Sequence, residues 1–388
     1  MTRIDRAVTI EDLRRLAIKR LPGFIGAYVE RGAGDGGAVT RNVDAFRRYQ
    51  FVPRALVDVT PVDTTVELFG RKYGSCFGIS AVGMAGMYRH HADELLAAAA
   101  RDANLPFILS GGSTASIETI TRIAPEHTWY QLYAAKRSEL TDQHIGRARD
   151  AGVGVMVFTV DYPISQRSEV VSRTGLSLAR GPTLKSFPRF AIDVLFHPRW
   201  ASGFVFGGVP KLESWARYAP PGSNAFAIHE FVSEQIPYNP LWTDLDRIRR
   251  LWSGKLIIKG LVHPGDVTRA IEAGADAVTI SNHGGNKLDC MQATLQSLVA
   301  VRAAINRTVP LFFDGGIRRG SDILVAKALG ADHCFVGRAT LYGVTAGGEP
   351  GVRKALAILQ SDLAYTMAMI GCKRVTEVTG DVLAGDTT

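Results

Sequence analysis

Cysteine is scarce in this 388-residue chain, with only Cys76, Cys290, Cys334 and Cys372, far apart and without a CxxC pair. That spacing argues against both a zinc site and a disulfide framework. Long apolar runs are missing as well, and none reaches the roughly eighteen residues that crossing a bilayer requires. The opening MTRIDRAVTIEDLRRLAIKRLP is charged and helical and lacks the apolar centre of a signal peptide, so a cytoplasmic location is expected. The formal net charge is +8, yet Lys and Arg are scattered and form no basic run. No nucleic-acid-binding signature accompanies them, so nucleic acid is not an expected partner. An anionic cofactor phosphate and ordinary surface charge account for the bias. No dinucleotide fingerprint of the Rossmann type follows a strand.

What is present is a hydrophobic fraction of 46%, enough for a large buried core. The length suits a barrel of roughly 250 residues carrying extensions. From residue 76 short apolar runs recur at Phe77–Ser80, Phe107–Ser110, Thr128–Leu132, Val155–Asp161, Leu256–Lys259, Ala277–Ser281, Pro310–Asp314 and His333–Val336. Helical patterns separate most of them, at Ala92–Asp102, Ser116–Arg122, Glu139–Ala151, Pro264–Ala273, Met291–Ile305, Ser321–Leu329 and Val352–Gly371. Eight strand candidates, buried on both faces and separated by helices, predict an α/β fold in which a parallel sheet closes on itself. Residues 76–388 are therefore expected to form a (β/α)8 barrel of the TIM type. An open doubly wound sheet is the alternative.

Residues 1–75 read as a helical extension and a cover strand. Thr9 caps a helix with Asp12 three positions on, Leu21-Pro22 interrupts it, and Phe24–Arg31 resumes the pattern. Thr64–Phe69 alternates as a strand does. One interval breaks the barrel rhythm: Tyr162 to Lys255 is rich in Pro, Gly and aromatic residues, and only Asp244–Trp252 looks like the expected helix. Residues 162–240 are read as an irregular lid inserted after strand four, at the catalytic mouth. The segment holds Phe187, Phe190, Leu195, Phe196, Trp200, Phe204 and Phe206 beside several arginines. Without a sustained amphipathic period, these are read as cover for the site rather than as a membrane contact.

Polar residues gather at the carboxyl ends of the strand candidates: Ser110, Gln131, Tyr133, Thr159, Asp161, Lys259, Ser281, His283, Asp314 and Arg338. That end of a (β/α)8 barrel carries the active site. Asp314-Gly315-Gly316-Ile317-Arg318-Arg319-Gly320 follows strand seven, and Gly337-Arg338 follows strand eight. Glycines there let backbone N–H groups approach an anion closely, and arginine adds a charged fork. Loops after strands seven and eight form the usual phosphate site of the fold.

Ser281-Asn282-His283-Gly284-Gly285 together with the Asp314–Gly320 run resembles the FMN-dependent α-hydroxy acid oxidase and dehydrogenase family. Leu21-Pro22, Gln131-Leu132-Tyr133, Thr159-Val160-Asp161, Lys259-Gly260 and Gly337-Arg338 match it in the same order over nearly the whole chain. The resemblance implies FMN as cofactor and a homotetramer. It implies flavin-ring contacts from Ser110, Gln131, Thr159, Lys259 and Ser281, and phosphate-end contacts from Asp314, Gly315, Gly316, Arg318, Gly337 and Arg338. Tyr28 and Tyr133 match tyrosines lining the substrate cavity, His283 the catalytic base, and Asp161 its carboxylate partner. A histidine near its intrinsic pKa takes a proton from a hydroxyl or amine at neutral pH, and a buried aspartate steadies the imidazolium. Lys259 beside the flavin would stabilise the negative charge that appears on reduction.

The chain departs from the family at two places. Where the flavin edge packs after strand one, the run is Ser80-Ala81-Val82-Gly83-Met84 instead of Pro followed by Thr or Ala. More consequentially, the two arginines that hold a substrate carboxylate are absent, their positions being Asn286 and Ser168. Neither supplies a charge, whereas a bidentate guanidinium contributes energy and orientation. Arg167 and Lys287 sit one residue away and are expected to point elsewhere. The expected substrate is a small alcohol, amine or biosynthetic intermediate. An ordinary 2-hydroxy acid held at a relocated site is the alternative, and an inactive flavin-binding scaffold a third. Retention of His283, Asp161, Tyr28, Tyr133 and Lys259 speaks against the third. Oxygen, a quinone or a redox protein are the candidate electron acceptors.

Overall fold

The computed structural model describes residues 2–165, 167–175, 187–305 and 309–384. The chain enters through three helices, Ile10–Arg20, Gly23–Glu30 and Gly37–Asp44. The capping box at the first is complete: Thr9 Oγ1 accepts from Asp12 N, and Thr9 N donates to the Asp12 carboxylate. The third helix is a departure from the sequence reading, which gives this region as two helical pieces and an extended segment. An antiparallel hairpin follows, β1 (Val66–Leu68) and β2 (Arg71–Tyr73).

Eight parallel strands then close into a barrel: β3 (Phe77–Ile79), β4 (Phe107–Leu109), β5 (Thr128–Leu132), β6 (Val155–Thr159), β7 (Lys255–Leu261), β8 (Ala277–Ile280), β9 (Leu311–Asp314) and β10 (His333–Val336). Each pairs with its sequence neighbour, and β10 returns to β3 through Cys334–Phe77 and Val336–Ile79. The expected (β/α)8 barrel is the observed fold, and the open sheet is excluded by that closure. Nearly every strand residue is buried because helices cover the outer face and side chains fill the interior.

The amino-terminal end of the barrel is sealed by aromatic packing. Phe69, at the turn of the β1–β2 hairpin, meets Trp129 and Phe312, and Trp129 meets Phe335 at 5.4 Å between ring centroids. Each fully buried Phe contributes about 1.5–3 kcal/mol. The plug closes one end, so the opposite, carboxyl-terminal end is where polar groups gather.

In its described residues the insertion after β6 is largely helical rather than irregular. It contains Glu169–Thr174, Phe187–Leu195, Pro198–Gly207, Glu213–Ala216 and Ala225–Gln235 before the barrel helix Trp242–Leu251. Pro198 sits in the first turn of its helix and Asn224 caps another, signals that the density of Pro, Gly and aromatic residues masks. Helices Phe187–Leu195 and Pro198–Gly207 carry apolar residues on both their inner and outer faces. Phe190 and Trp200 pack on Phe24 of the amino-terminal extension, while Phe187, Ile192, Leu195, Phe196, Val205 and Phe206 face outward. The later part of the insertion builds a second small core of Leu212, Trp215 and Ile228 with Leu140, against which Tyr133 and Tyr162 rest. Trp215 Nε1 donates to Gly111 O, tying it to the loop after β4.

Candidate active site

Two hydrogen-bonded chains of side chains line the carboxyl end of the barrel. Ser110 Oγ donates to Gln131 Oε1 at 3.0 Å, and Gln131 Nε2 donates to Thr159 Oγ1 at 2.9 Å. Across the barrel, Lys259 Nζ donates to Ser281 Oγ at 2.7 Å, and Ser281 Oγ donates to Asp314 Oδ1 at 2.6 Å. Lys259 Nζ also pairs with Asp314 Oδ2 at 3.1 Å. Burial lowers the Lys259 pKa, but the carboxylates of Asp314 and Asp161 outweigh it and hold the ammonium above its ordinary pKa. A buried cation held by the acceptors Ser281 Oγ and Asp314 is thereby fixed at the mouth.

Above these chains opens a cleft enclosing about 830 Å3 of empty space, its mouth included. Ala81, Val82 and Gly83 form one wall, and Gly315, Gly316, Arg318, Gly337 and Arg338 one end. Gly315 and Gly316 have φ of +115° and +82°, conformations open to glycine, which turn the backbone around this end. The residues fit a flavin mononucleotide. The guanidinium of Arg318 and the glycine-rich backbone suit a phosphate, and the buried amide, hydroxyl and ammonium groups suit a polar heterocycle. Arg338 is anchored on the carbonyls of Gly284 and Arg31, at 2.8 and 2.6 Å, so it also braces the loop after β8. Among the described residues no cluster of groups able to hold a metal is found.

His283 stands at the same mouth. Its Nδ1 lies 2.8 Å from Asp161 Oδ1, and its Nε2 lies 3.5 Å from the Tyr133 hydroxyl. The backbone at His283 is left-handed, φ +57°, and its N–H donates to Ser281 Oγ. Two glycines follow with positive φ, and a Cβ on Gly285 would sit 2.7 Å from Val39 N. The Ser-Asn-His-Gly-Gly run therefore forms a tight turn clamped by the amino-terminal extension. Asn282 and Asn42 exchange two amide hydrogen bonds, at 2.8 and 2.9 Å, in that clamp.

The electrostatics correct one sequence expectation. Burial pushes His283 down to about 4, the Asp161 carboxylate only partly opposing it, and the Lys287 and Lys259 charges push the same way as burial. Its resting form is thus the neutral imidazole, with Nδ1–H donated to Asp161 and Nε2 free to accept a proton. Burial raises Asp161, but His283, Lys259 and Lys287 outweigh it and hold the carboxyl at about 2.

Tyr28, Tyr133, Asp161, Lys259 and His283 are brought to one mouth, as the sequence pattern requires. Asn286 lines the cleft and donates to His283 O, while its Oδ1 is buried without a partner. Ser168 is buried and bridges to Gly34 of the amino-terminal extension in a short parallel pairing, its Oγ without a partner. Arg167 is exposed, as expected. Lys287 is not: its Nζ lies 3.3 Å from the centroid of the Tyr162 ring, which packs on Tyr133. Arg31, which lines the cleft beside Tyr28, escapes sequence reasoning altogether. The only sign of it is an arginine three positions after Tyr28, and arginines at the ends of surface helices are common.

A model of the family described as FMN-dependent dehydrogenase matches residues 17–385. The (S)-mandelate dehydrogenase of Pseudomonas putida is 35% identical over 97% of this chain and 94% of that protein. The L-lactate dehydrogenase of Alcaligenes faecalis is 32% identical over 96% and 97%. Among solved structures, the monotopic membrane protein (S)-mandelate dehydrogenase superimposes with a TM-score of 0.93 at 35% identity, covering 98% of this chain and 100% of that one. A mandelate oxidase superimposes with a TM-score of 0.81 at 28% identity, over 97% and 98%. The chain belongs to the FMN-dependent dehydrogenase family, and it is an FMN-dependent enzyme of the α-hydroxy acid oxidase and dehydrogenase type.

Proposed function

We propose that this enzyme oxidises a small molecule at a carbon bearing a hydroxyl or amine, with His283 removing the heteroatom proton. The carrying observation is the placement of His283 Nε2, neutral and facing the Tyr133 hydroxyl, at the mouth of the glycine- and arginine-lined cleft. FMN supplies the hydride acceptor when bound. Asp161 holds the imidazole through Nδ1 and stabilises it once protonated, while Tyr133 and Tyr28 position the reacting group. Lys259 lies where the charge of a reduced flavin ring would need a counter-ion. Ser110, Gln131, Thr159 and Ser281 serve the ring. Ala81, Val82 and Gly83 serve its edge, and Asp314, Gly315, Gly316, Arg318, Gly337 and Arg338 the phosphate end.

With Asn286 and Ser168 in place of the family's arginines, the substrate is not gripped as a simple 2-hydroxy acid normally is. Residues 1–75 and 162–240 act as cover and lid. Anaerobic mixing of the FMN-loaded protein with 2-hydroxy acids, alcohols and amines tests the activity, bleaching of the flavin being the expected result. No bleaching by any of the three classes would refute it.

A second reading concerns location. No helix among the described residues is long and apolar enough to cross a membrane. The outward apolar face of helices Phe187–Leu195 and Pro198–Gly207, flanked by exposed Arg189, Arg199 and Lys211, favours a peripheral seat on the cytoplasmic face of a membrane. The monotopic character of the similar mandelate dehydrogenase agrees with it. A quinone is then the acceptor at hand, and a homotetramer the assembly to test.

A further inference from the structure

Two cations stand near the His283–Tyr133 pair without a carboxylate of their own. Among the described residues, no carboxylate lies within ion-pair distance of Arg31 or Lys287. Arg31, half-buried at the end of helix Gly23–Glu30, lines the cleft with His283 and Asn286, its guanidinium 5.1 Å from the Tyr28 ring centroid. Lys287 rests on Tyr162, whose ring stacks edge-on against Tyr133, the partner of the base. The two cations are close enough to act on each other, and the charge of Arg31 also reaches Tyr28, Tyr133 and Tyr162. The carboxylate that acts on Lys287 is Asp161, already hydrogen-bonded to His283.

Such an arrangement is unfavourable in the free protein. Burial pushes Lys287 down to about 7, Asp161 only partly opposes this, and Arg31 and Lys259 lower it further. Like charges gathered in a half-buried place are stabilised when an anion enters between them. Both residues are offset from the positions the family uses: Lys287 is one residue beyond Asn286, and Arg31 comes from the amino-terminal extension instead of the loop after β6.

Resting on the oxidoreductase reading above, we infer that Arg31 and Lys287 together hold an anionic group of the substrate, replacing the family's arginine pair. The substrate is thus a hydroxy or amino acid, or another small anion, whose acid group is read by one guanidinium and one ammonium. Its hydroxyl or amine then meets His283 and Tyr133. The orphaned Asn286 Oδ1 is free to accept from that hydroxyl or amine.

The test uses the FMN-loaded full chain and two non-reducing probes of one shape, 2-oxo-2-phenylacetate and its neutral amide, titrated by their perturbation of the flavin spectrum. The unsubstituted enzyme should bind the acid more tightly than the amide. Arg31→Met and Lys287→Met should each weaken the acid by about tenfold or more, leaving amide affinity and flavin content unchanged. Lys287→Arg should keep the preference. Should neither probe fit, the affinity of the flavin for sulfite, itself an anion, is measured in the same variants and should fall likewise. An unchanged affinity for acid and sulfite, equal loss for acid and amide, or loss of flavin from Arg31→Met would each overturn the inference. Flavin bleaching by a neutral alcohol, indifferent to both substitutions, would discard the anion site and keep the activity. Charge-dependent binding with no bleaching by any compound would do the reverse.

Discussion

Asp161 Oδ1 and His283 Nδ1, from the loops after β6 and β8, meet at 2.8 Å and so determine which imidazole nitrogen is left to act as base. His283→Asn should leave flavin bound and slow its reduction by about a hundredfold to ten-thousandfold. Asp161 opposes the lowering of the His283 pKa, so Asp161→Asn should move the acid limb of the pH profile further down, not up, while also slowing reduction. Stopped-flow flavin bleaching against pH measures both. An acid limb that rises in Asp161→Asn contradicts the assignment.

The two pKa values at the mouth set a window. His283 in the free enzyme is neutral above about 4, and activity falls as pH drops through that value. Lys287 is charged below about 7 and loses its proton as pH rises. Asp161, Arg31 and Lys259 are the charges that act on Lys287. Second-order rates of flavin reduction by an anionic substrate should therefore decline above about 7. The decline should be absent in Lys287→Arg, whose charge persists.

Lys259 and Asp314 form a buried ion pair at 3.1 Å. Lys259→Met leaves the carboxylate without its cation and should destabilise the fold by about 3–5 kcal/mol. Lys259→Met with Asp314→Asn should recover most of that loss in denaturant unfolding, yet still reduce its flavin slowly. Recovery of both would make the lysine structural only.

Gly260 has φ +106°, and a Cβ there would lie 2.6 Å from Asp161 Cβ. Gly260→Ala should therefore displace Asp161, adding strain on the order of 1–3 kcal/mol. Misplacing a catalytic group by an ångström costs about a hundredfold in rate. Flavin content should hold, since Gly260 does not line the cleft. Flavin content and single-turnover rate separate these effects.

The barrel was legible because its strands are short apolar runs set between helices, a pattern that survives reading one residue at a time. Thr128–Leu132 and His333–Val336 carry the same bounds in sequence and structure. The site residues were legible because they end those strands. Lys287 and Arg31 were not, since their roles depend on where loops turn. The positive φ at His283, Gly284 and Gly285 swings the loop so that Lys287 returns to Tyr162. The helices of the insertion were hidden because 162–240 mixes helix formers with the Pro and Gly that usually end helices.

The outward face of the insertion yields the last expectation. Phe187, Leu195, Phe196 and Phe206 are exposed at 58%, 77%, 79% and 89%, more than solvation of single side chains usually leaves together on adjoining helices. Each would gain about 1.5–3 kcal/mol on leaving water, and exposed Arg189, Arg199 and Lys211 would add attraction to anionic headgroups. The FMN-loaded protein should therefore sediment with vesicles containing anionic lipid. Salt should weaken the association without abolishing it, because screening removes only the charged part. Replacing Phe187, Leu195, Phe196 and Phe206 by Ser should release the enzyme while leaving flavin content and bleaching rate unchanged, since none of the four lines the cleft. Sedimentation that persists in the Ser variant would place the contact elsewhere. If the unsubstituted enzyme ignores vesicles altogether, the apolar face is covered by protein, and sedimentation velocity should then show an assembly that the same four substitutions dissolve.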